Sequence, residues 1–273
     1  MNSSRRNDNF RILFGYLACV TLIPFYVNMF PLWKYLTTAW GDEVFILIPP
    51  LALIVILGSG LLLLRRRQRL NREGINVTPI IIGILLCLMG LVIPDPDFPI
   101  KRIHVAEYLI LSAIARYAMS HRLQGISLMV FSACFASLLG VHDEFLQGLH
   151  PARTFGLRDM LVNCLGSFGG SLIWHGARSA AKDEQWKASK IDWLYTSWLL
   201  FSVAALVLPS AFYRGLTLPF WPALPLIGAV IYFFMYSNRF SRRTRHGIWV
   251  ISWVSFTLLF YPLLTHLPSI VFY

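Results

Sequence analysis

Residues 141 to 170 read VHDEFLQGLHPARTFGLRDMLVNCLGSFGG, a charged turn set between two apolar runs. On the first run Glu144 and Gln147 are three residues apart and end just before the turn His150-Pro151-Ala152-Arg153. On the second, Asp159 is followed at offsets of four, seven and eleven by Asn163, Gly166 and Gly170, which places all four on one helical face. Gly166 and Gly170 form a small-xxx-small surface for close approach of the preceding helices, while Asp159 and Asn163 make its outer end polar. The flanking runs, 126–147 and 157–176, are each long enough as helices to cross an apolar layer about 30 Å thick. The stretch therefore reads as an antiparallel helix pair whose polar turn, with Asp143, Glu144, Arg153, Arg158 and Asp159, lies at one membrane boundary.

Similar runs recur along the whole chain, at 10–30, 44–64, 77–94, 103–120, 193–212, 220–237 and 246–267. The composition agrees: of 273 residues 56% are hydrophobic and 14% charged, well below the roughly 25% charged fraction of soluble domains. The fold class expected is all-α, a polytopic transmembrane helix bundle of about nine spans. The net charge of +11 does not point to nucleic acid, because the basic residues cluster in connections between spans. With the N-terminus cytoplasmic, eighteen of the 24 Lys and Arg fall in cytoplasmic segments, and the C-terminus is extracytoplasmic. Arg5 and Arg6 before an apolar run resemble a signal peptide, but no small-x-small pattern closes that run, and a retained first span is expected. Cys19, Cys87, Cys134 and Cys164 all fall within spans without C-x-x-C spacing, which supports neither a disulfide framework nor a zinc ribbon.

The chain divides into residues 1–76, two N-terminal spans and a basic loop; 77–176, a four-helix core; and 177–273, three C-terminal spans. The outer thirds serve packing, with Pro49 and Pro50 in one span and Pro222 and Pro225 in another expected to kink their helices. Nearly all polar chemistry is in the middle. Lys101, His104 and Tyr108 are spaced i, i+3, i+7 on one helical face, with Glu107 the deepest carboxylate of that helix. The outer ends of three successive helices thus meet at one leaflet boundary, while beyond Glu107 and Asn163 the inner halves of spans 4 to 6 read as apolar, with His175 and Arg116 near the far end.

Lys101-x2-His104-x3-Tyr108, Glu144-x2-Gln147-x2-His150-Pro151-Ala152-Arg153 and Asp159-x3-Asn163-x2-Gly166-x3-Gly170 together resemble the VanZ-like family of bacterial membrane proteins. The resemblance covers about 77–176. The family's usual Asp before the Lys is Ile100 here, with Asp95 or Asp97 as a substitute, and its Pro-Gly-Arg turn is Pro-Ala-Arg. The resemblance implies a bacterial cytoplasmic (inner) membrane, the cell envelope and an association with glycopeptide (teicoplanin) resistance, without implying a reaction.

The leading expectation is a pocket that binds an anionic, lipid-linked envelope molecule, or membrane lipid itself, and processes it in an enzymatic version. Glu144 or Asp159 is then the acid/base, His104 its proton partner, and Arg153 with Lys101 a clamp for phosphate or pyrophosphate. Glu107, Tyr108, Gln147 and Asn163 complete the binding set. No nucleophile is evident, since no Ser sits in a G-x-S-x-G context. No cofactor is expected; a divalent metal held by Glu144, Asp159 and His104 or His142 is the weaker alternative, lacking an H-E-x-x-H or dense acidic motif. Two other readings stand beside it: a lipid or polyprenyl-phosphate transporter, which needs a polar path through the inner halves, and a structural or assembly protein whose polar groups fix helix register.

Overall fold

The computed structural model describes residues 2–41, 43–71, 75–94, 98–177 and 189–273. Asp95 and Asp97 lie outside the described residues. Among the described residues there is no strand. The helices are α1 (Asn2–Val27), α2 (Phe30–Trp40), α3 (Glu43–Asn71), α4 (Val77–Val92), α5 (Ile103–Met119), α6 (Gly125–Gly148), α7 (Leu157–Gly176), α8 (Lys190–Ser210), α9 (Leu224–Tyr236), α10 (Arg245–Thr257) and α11 (Phe260–Thr265). Each apolar run of the sequence is occupied by a helix, the last by α10 and α11 in succession. Among the described residues, four helical segments are long and apolar enough to cross a membrane: Asp8–Val27, Gly125–Gly148, Lys190–Ser210 and Arg245–Thr265. Ile46–Gly60 and Val77–Val92 are shorter apolar helices. Large apolar side chains such as Phe14, Leu51, Ile54, Leu85, Phe201 and Phe234 stand exposed around the bundle, as a chain solvated by lipid requires.

The helix α7 is the centre of the middle third, packed by α4, α5 and α6. Glycine makes this possible. A Cβ on Gly166 would come within 2.8 Å of the Val105 carbonyl oxygen and 3.1 Å of Tyr108 Cβ, and one on Gly170 within 2.9 Å of the Leu109 carbonyl, so both face α5. On another side of α7, a Cβ on Gly169 would lie 2.6 Å from Cys87 Sγ, and one on Gly83 of α4 would lie 2.6 Å from the Gly169 carbonyl. Without side chains at these points the backbones approach closely enough for dispersion contacts and Cα–H···O contacts to hold helices together in lipid.

Outside this group, α1 lies against α5 and α6, and α3 against α5. The segments α8, α9 and α10 pack on one another, with α10 against α6. Their joint core includes Tyr195, Leu199, Phe233, Phe240 and Ile248. Asp192, 2% exposed, ties this part together. Its Oδ2 accepts from the Ser189 N–H (2.9 Å) and the Thr244 hydroxyl (2.8 Å), and its Oδ1 from the Ser241 N–H (3.1 Å). Ser189 caps the start of α8 reciprocally through the Asp192 N–H.

The prolines divide in their effect. Pro49 and Pro50 lie inside α3, as expected. The kink expected from Pro222 and Pro225 does not occur: Pro222 is in the 3-10 turn Trp221–Ala223 and Pro225 in the first turn of α9. In a first turn the missing N–H removes no intrahelical bond, so these prolines start the helix instead of bending it.

Candidate functional site

The site is assembled where α5 begins, α6 ends and α7 begins. Lys101 is not on α5 itself. It belongs to the preceding 3-10 turn, Pro99–Arg102, from which its Nζ reaches Asp159 Oδ2 at 2.6 Å in the first turn of α7. The Lys101 side chain is 32% exposed and the Asp159 side chain 3%, so the cation touches the surroundings while the acid does not.

Glu144 is fully buried near the end of α6. Its Oε2 accepts from the Gly156 N–H at 3.0 Å and its Oε1 from Gln147 Nε2 at 3.2 Å. The Oε1 atom of Gln147 accepts in turn from Arg153 Nη2 (2.8 Å) and Nε (3.2 Å), so the amide relays between acid and guanidinium. Glu144 and Asp159 crowd the same side of Gly156: a Cβ built there would be 2.8 Å from Asp159 Oδ2 and 3.4 Å from Glu144 Oε2. Glu144 is also within electrostatic reach of Asp143, His104 and Lys101.

Tyr108 is buried in the junction of α5, α6 and α7 and donates to Asp143 Oδ2 at 3.0 Å. Among the described residues, Asp143 Oδ1 and Asn163 Oδ1 are buried without a hydrogen-bond partner, while Asn163 Nδ2 donates to the Gly140 carbonyl at 3.4 Å. His104 Nδ1 lies 3.0 Å from Glu107 Oε2, without the alignment of a hydrogen bond. His104 thus makes its contact within α5, and among the described residues no hydrogen bond or ion pair joins it to Glu144 or Asp159. The ring of His142 is turned away from the acids, its Nδ1 3.0 Å from the Tyr261 hydroxyl and its Nε2 2.9 Å from the Val254 carbonyl. Among the described residues no three His, Cys, Asp or Glu side chains are grouped to hold a metal ion.

Three features escaped the sequence. The first is Asp143, as deeply buried as Glu144 and bonded to Tyr108. The second is the anchoring of the turn between α6 and α7 by distant segments. The Phe155 N–H donates to the Tyr273 carbonyl (3.0 Å), the Tyr273 N–H to the Gly148 carbonyl (2.7 Å), and Arg214 Nη2 to the Phe155 carbonyl. The rings of Phe145, Phe155 and Phe272 pack against one another in tilted contacts beneath it. The C-terminal third therefore does more than pack: it holds the turn that carries Arg153 and presents the Gly156 N–H to Glu144.

The third corrects the expectation of apolar inner halves. Asp159, Asn163, Ser167, Ser171 and His175 follow one another every four residues along α7, and all are buried. At 1.5 Å per residue they extend over about 24 Å. Ser171 Oγ lies 2.9 Å from Ser132 Oγ of α6 and donates to the Met129 carbonyl at 2.7 Å, and Ser112 of α5 is fully buried as well. A narrow polar file runs from the acid cluster toward His175 and the buried Arg116 at the other end.

No protein-family model, curated protein or solved structure matches the chain. The family resemblance rests on its motif spacing.

Proposed function

We propose that the chain is a VanZ-like multi-pass protein of the bacterial cytoplasmic membrane that binds an anionic, lipid-linked envelope molecule at the end of the bundle formed by the 3-10 turn before α5, the end of α6 and the start of α7. In this reading there are nine spans, the N-terminus is cytoplasmic and the site faces the extracytoplasmic leaflet. The positive-inside distribution of Lys and Arg supports that orientation. Alkaline phosphatase fused after Tyr273 should be active and fused after Arg122 inactive.

One observation carries the reading: Lys101 and Arg153 form a partly exposed cationic rim over acids that are wholly buried. A phosphate or pyrophosphate headgroup at the boundary meets the rim first, and the guanidinium offers it a bidentate fork. Behind the rim, Glu144 is oriented by two donors as an acid/base group would need to be, with Asp159 beside it. The test is binding of a short polyprenyl phosphate to the full chain in nanodiscs. Arg153→Ala should weaken binding about tenfold, whereas Glu144→Gln should abolish the cellular phenotype while retaining binding. Equal affinity for neutral and phosphorylated polyprenol, with both variants active in cells, overturns the reading.

The buried file along α7 favours a second reading, transport coupled to protons. Ser171 is bonded to the Met129 carbonyl, Ser167 Oγ is buried without a hydrogen-bond partner among the described residues, and both lie between glycine-packed helices, so the file is too narrow for a headgroup and suited to protons or single waters. Proton flux into liposomes, lost in Ser167→Val, would establish it.

A further inference from the structure

At the opposite end of the bundle, residues of α1, the α5–α6 connection and the start of α10 line an open cavity of about 540 Å³. Arg122, from the α5–α6 connection, and Arg242, Arg245 and His246, from the start of α10, line it, together with Asn9 and Tyr16 of α1. Arg122, Arg245 and His246 are held by neutral groups. Arg122 Nη2 donates to Asn9 Oδ1 at 2.6 Å, Arg245 Nη2 to Asn238 Oδ1 at 2.9 Å and to the Ser237 carbonyl at 3.2 Å, and His246 Nε2 lies 2.8 Å from the Tyr16 hydroxyl. Among the described residues, no ion pair joins Arg122, Arg242 or Arg245 to a carboxylate. Of the acids nearby, Asp8 lies 3.7 Å from His121, and Asp192 is buried and occupied by the Ser189 and Ser241 N–H groups and the Thr244 hydroxyl.

Among the described residues, no carboxylate offsets these guanidiniums. Arg245 occupies the first turn of a thirteen-residue helix, where the peptide dipoles present their positive end and disfavour a cation. Three guanidiniums around one cavity repel each other as well. Nothing in local packing requires this, since Arg122 and Arg242 are exposed. An anion seated between them would reverse the sign of each contribution, accepting bonds from the guanidiniums while lying near the helix N-terminus. The cavity is also lined by Ile12, Leu13 and Trp249, of which Leu13 and Trp249 are exposed, and Phe10 and Trp253 continue the apolar surface along the outside of α1 and α10. A phosphate carrying acyl chains fits both halves of the site.

We propose that this cavity binds a phosphate group, supplied by an anionic phospholipid whose chains lie against Leu13 and Trp249. Asp192 is the positioning residue, because it fixes the 241–244 segment, which carries Arg242 and leads directly into Arg245. The site is independent of the acid-rich end and stands whether or not that end binds an envelope molecule.

The experiment uses the full chain in detergent, titrated separately with dihexanoyl phosphatidylglycerol, dihexanoyl phosphatidylcholine and inorganic phosphate, with binding read by native mass spectrometry and by Trp fluorescence. The expected result is at least tenfold preference for phosphatidylglycerol over phosphatidylcholine, falling below threefold in Arg122→Gln/Arg245→Gln and persisting in Arg153→Ala. Saturable binding of inorganic phosphate that equals phosphatidylglycerol in affinity and is lost in the same variant would assign the anion to a soluble source and keep the phosphate site. Absence of preference for either anion, or an unchanged preference in the double variant, overturns the proposal. Should the double variant fail to fold, Trp249→Ala supplies the second reading: weaker phosphatidylglycerol binding with phosphate binding intact supports the lipid, and no change in either overturns it.

Discussion

Lys101 Nζ and Asp159 Oδ2, 2.6 Å apart, join the turn before α5 to the first turn of α7 across 58 residues of chain. The acid is buried and the base partly exposed, so the two are not equivalent to remove. Lys101→Met leaves a buried carboxylate without its cation and should destabilise by about 2 kcal/mol, below the ~3–5 kcal/mol of a wholly buried pair because water reaches the lysine. Asp159→Asn in the same chain should restore part of the loss. Thermal unfolding in detergent of the two single variants and the double variant measures the coupling.

Glycine substitution separates close approach from helix propensity. Gly170→Ala places a Cβ against the Leu109 carbonyl and Ser112 Oγ, and α5 must shift. A loss of roughly 1–3 kcal/mol is expected from such overpacking. Gly58→Ala in α3, where no atom lies within 4 Å of the new Cβ, should be neutral or slightly stabilising. Unfolding midpoints that fall equally for both would contradict the packing of α5 on α7.

Tyr108→Phe removes a donor to a buried carboxylate, and among the described residues Asp143 already has one oxygen without a hydrogen-bond partner. Tyr195→Phe removes a bond between two hydroxyls, Tyr195 and Ser252, 2.8 Å apart. The first should cost about 2 kcal/mol and the second about 1 kcal/mol, as charged and neutral hydrogen bonds differ. Denaturant midpoints in matched micelles check the order, which is the informative quantity.

Asp192→Ala withdraws three acceptor bonds at once and should lower stability by about 2–4 kcal/mol, combining a lost cap with stranded donors. Asp192→Asn should retain part of this. Proteolysis at Arg242 or Arg243, monitored in the two variants, should accelerate more for Ala than for Asn.

The sequence made the helices legible because lipid demands long apolar runs, and a run of Leu, Ile, Val and Phe near twenty residues has few alternatives to a helix. It did not reveal α2, whose Lys34, Thr37 and Thr38 interrupt the apolar pattern; its start is set by Pro31 in the first turn. Within the site, Glu144 and Gln147 were recognisable as one face three residues apart. Asp143 was not, because its side chain projects about 100° away, and only a helix surrounded by others, as α6 is by α1, α5, α7 and α10, buries that direction too. The serines of α7 are nearly neutral in hydropathy and vanish in a window average; the four-residue period from Asp159 to His175 was the available signal. The pairing of Tyr273 with Gly148 and Phe155 depends on tertiary placement, for which no local pattern exists.

The glycine contacts of α7 with α4 and α5 fix its axial register. Sliding α7 by one residue would drive Leu165 or Ser167 into the Val105 carbonyl now facing Gly166. This helix is a stationary post. The 149–156 turn that bonds Glu144 through the Gly156 N–H is latched by the backbone of Phe272 and Tyr273, bonded to Gly148, Phe155 and Gly215.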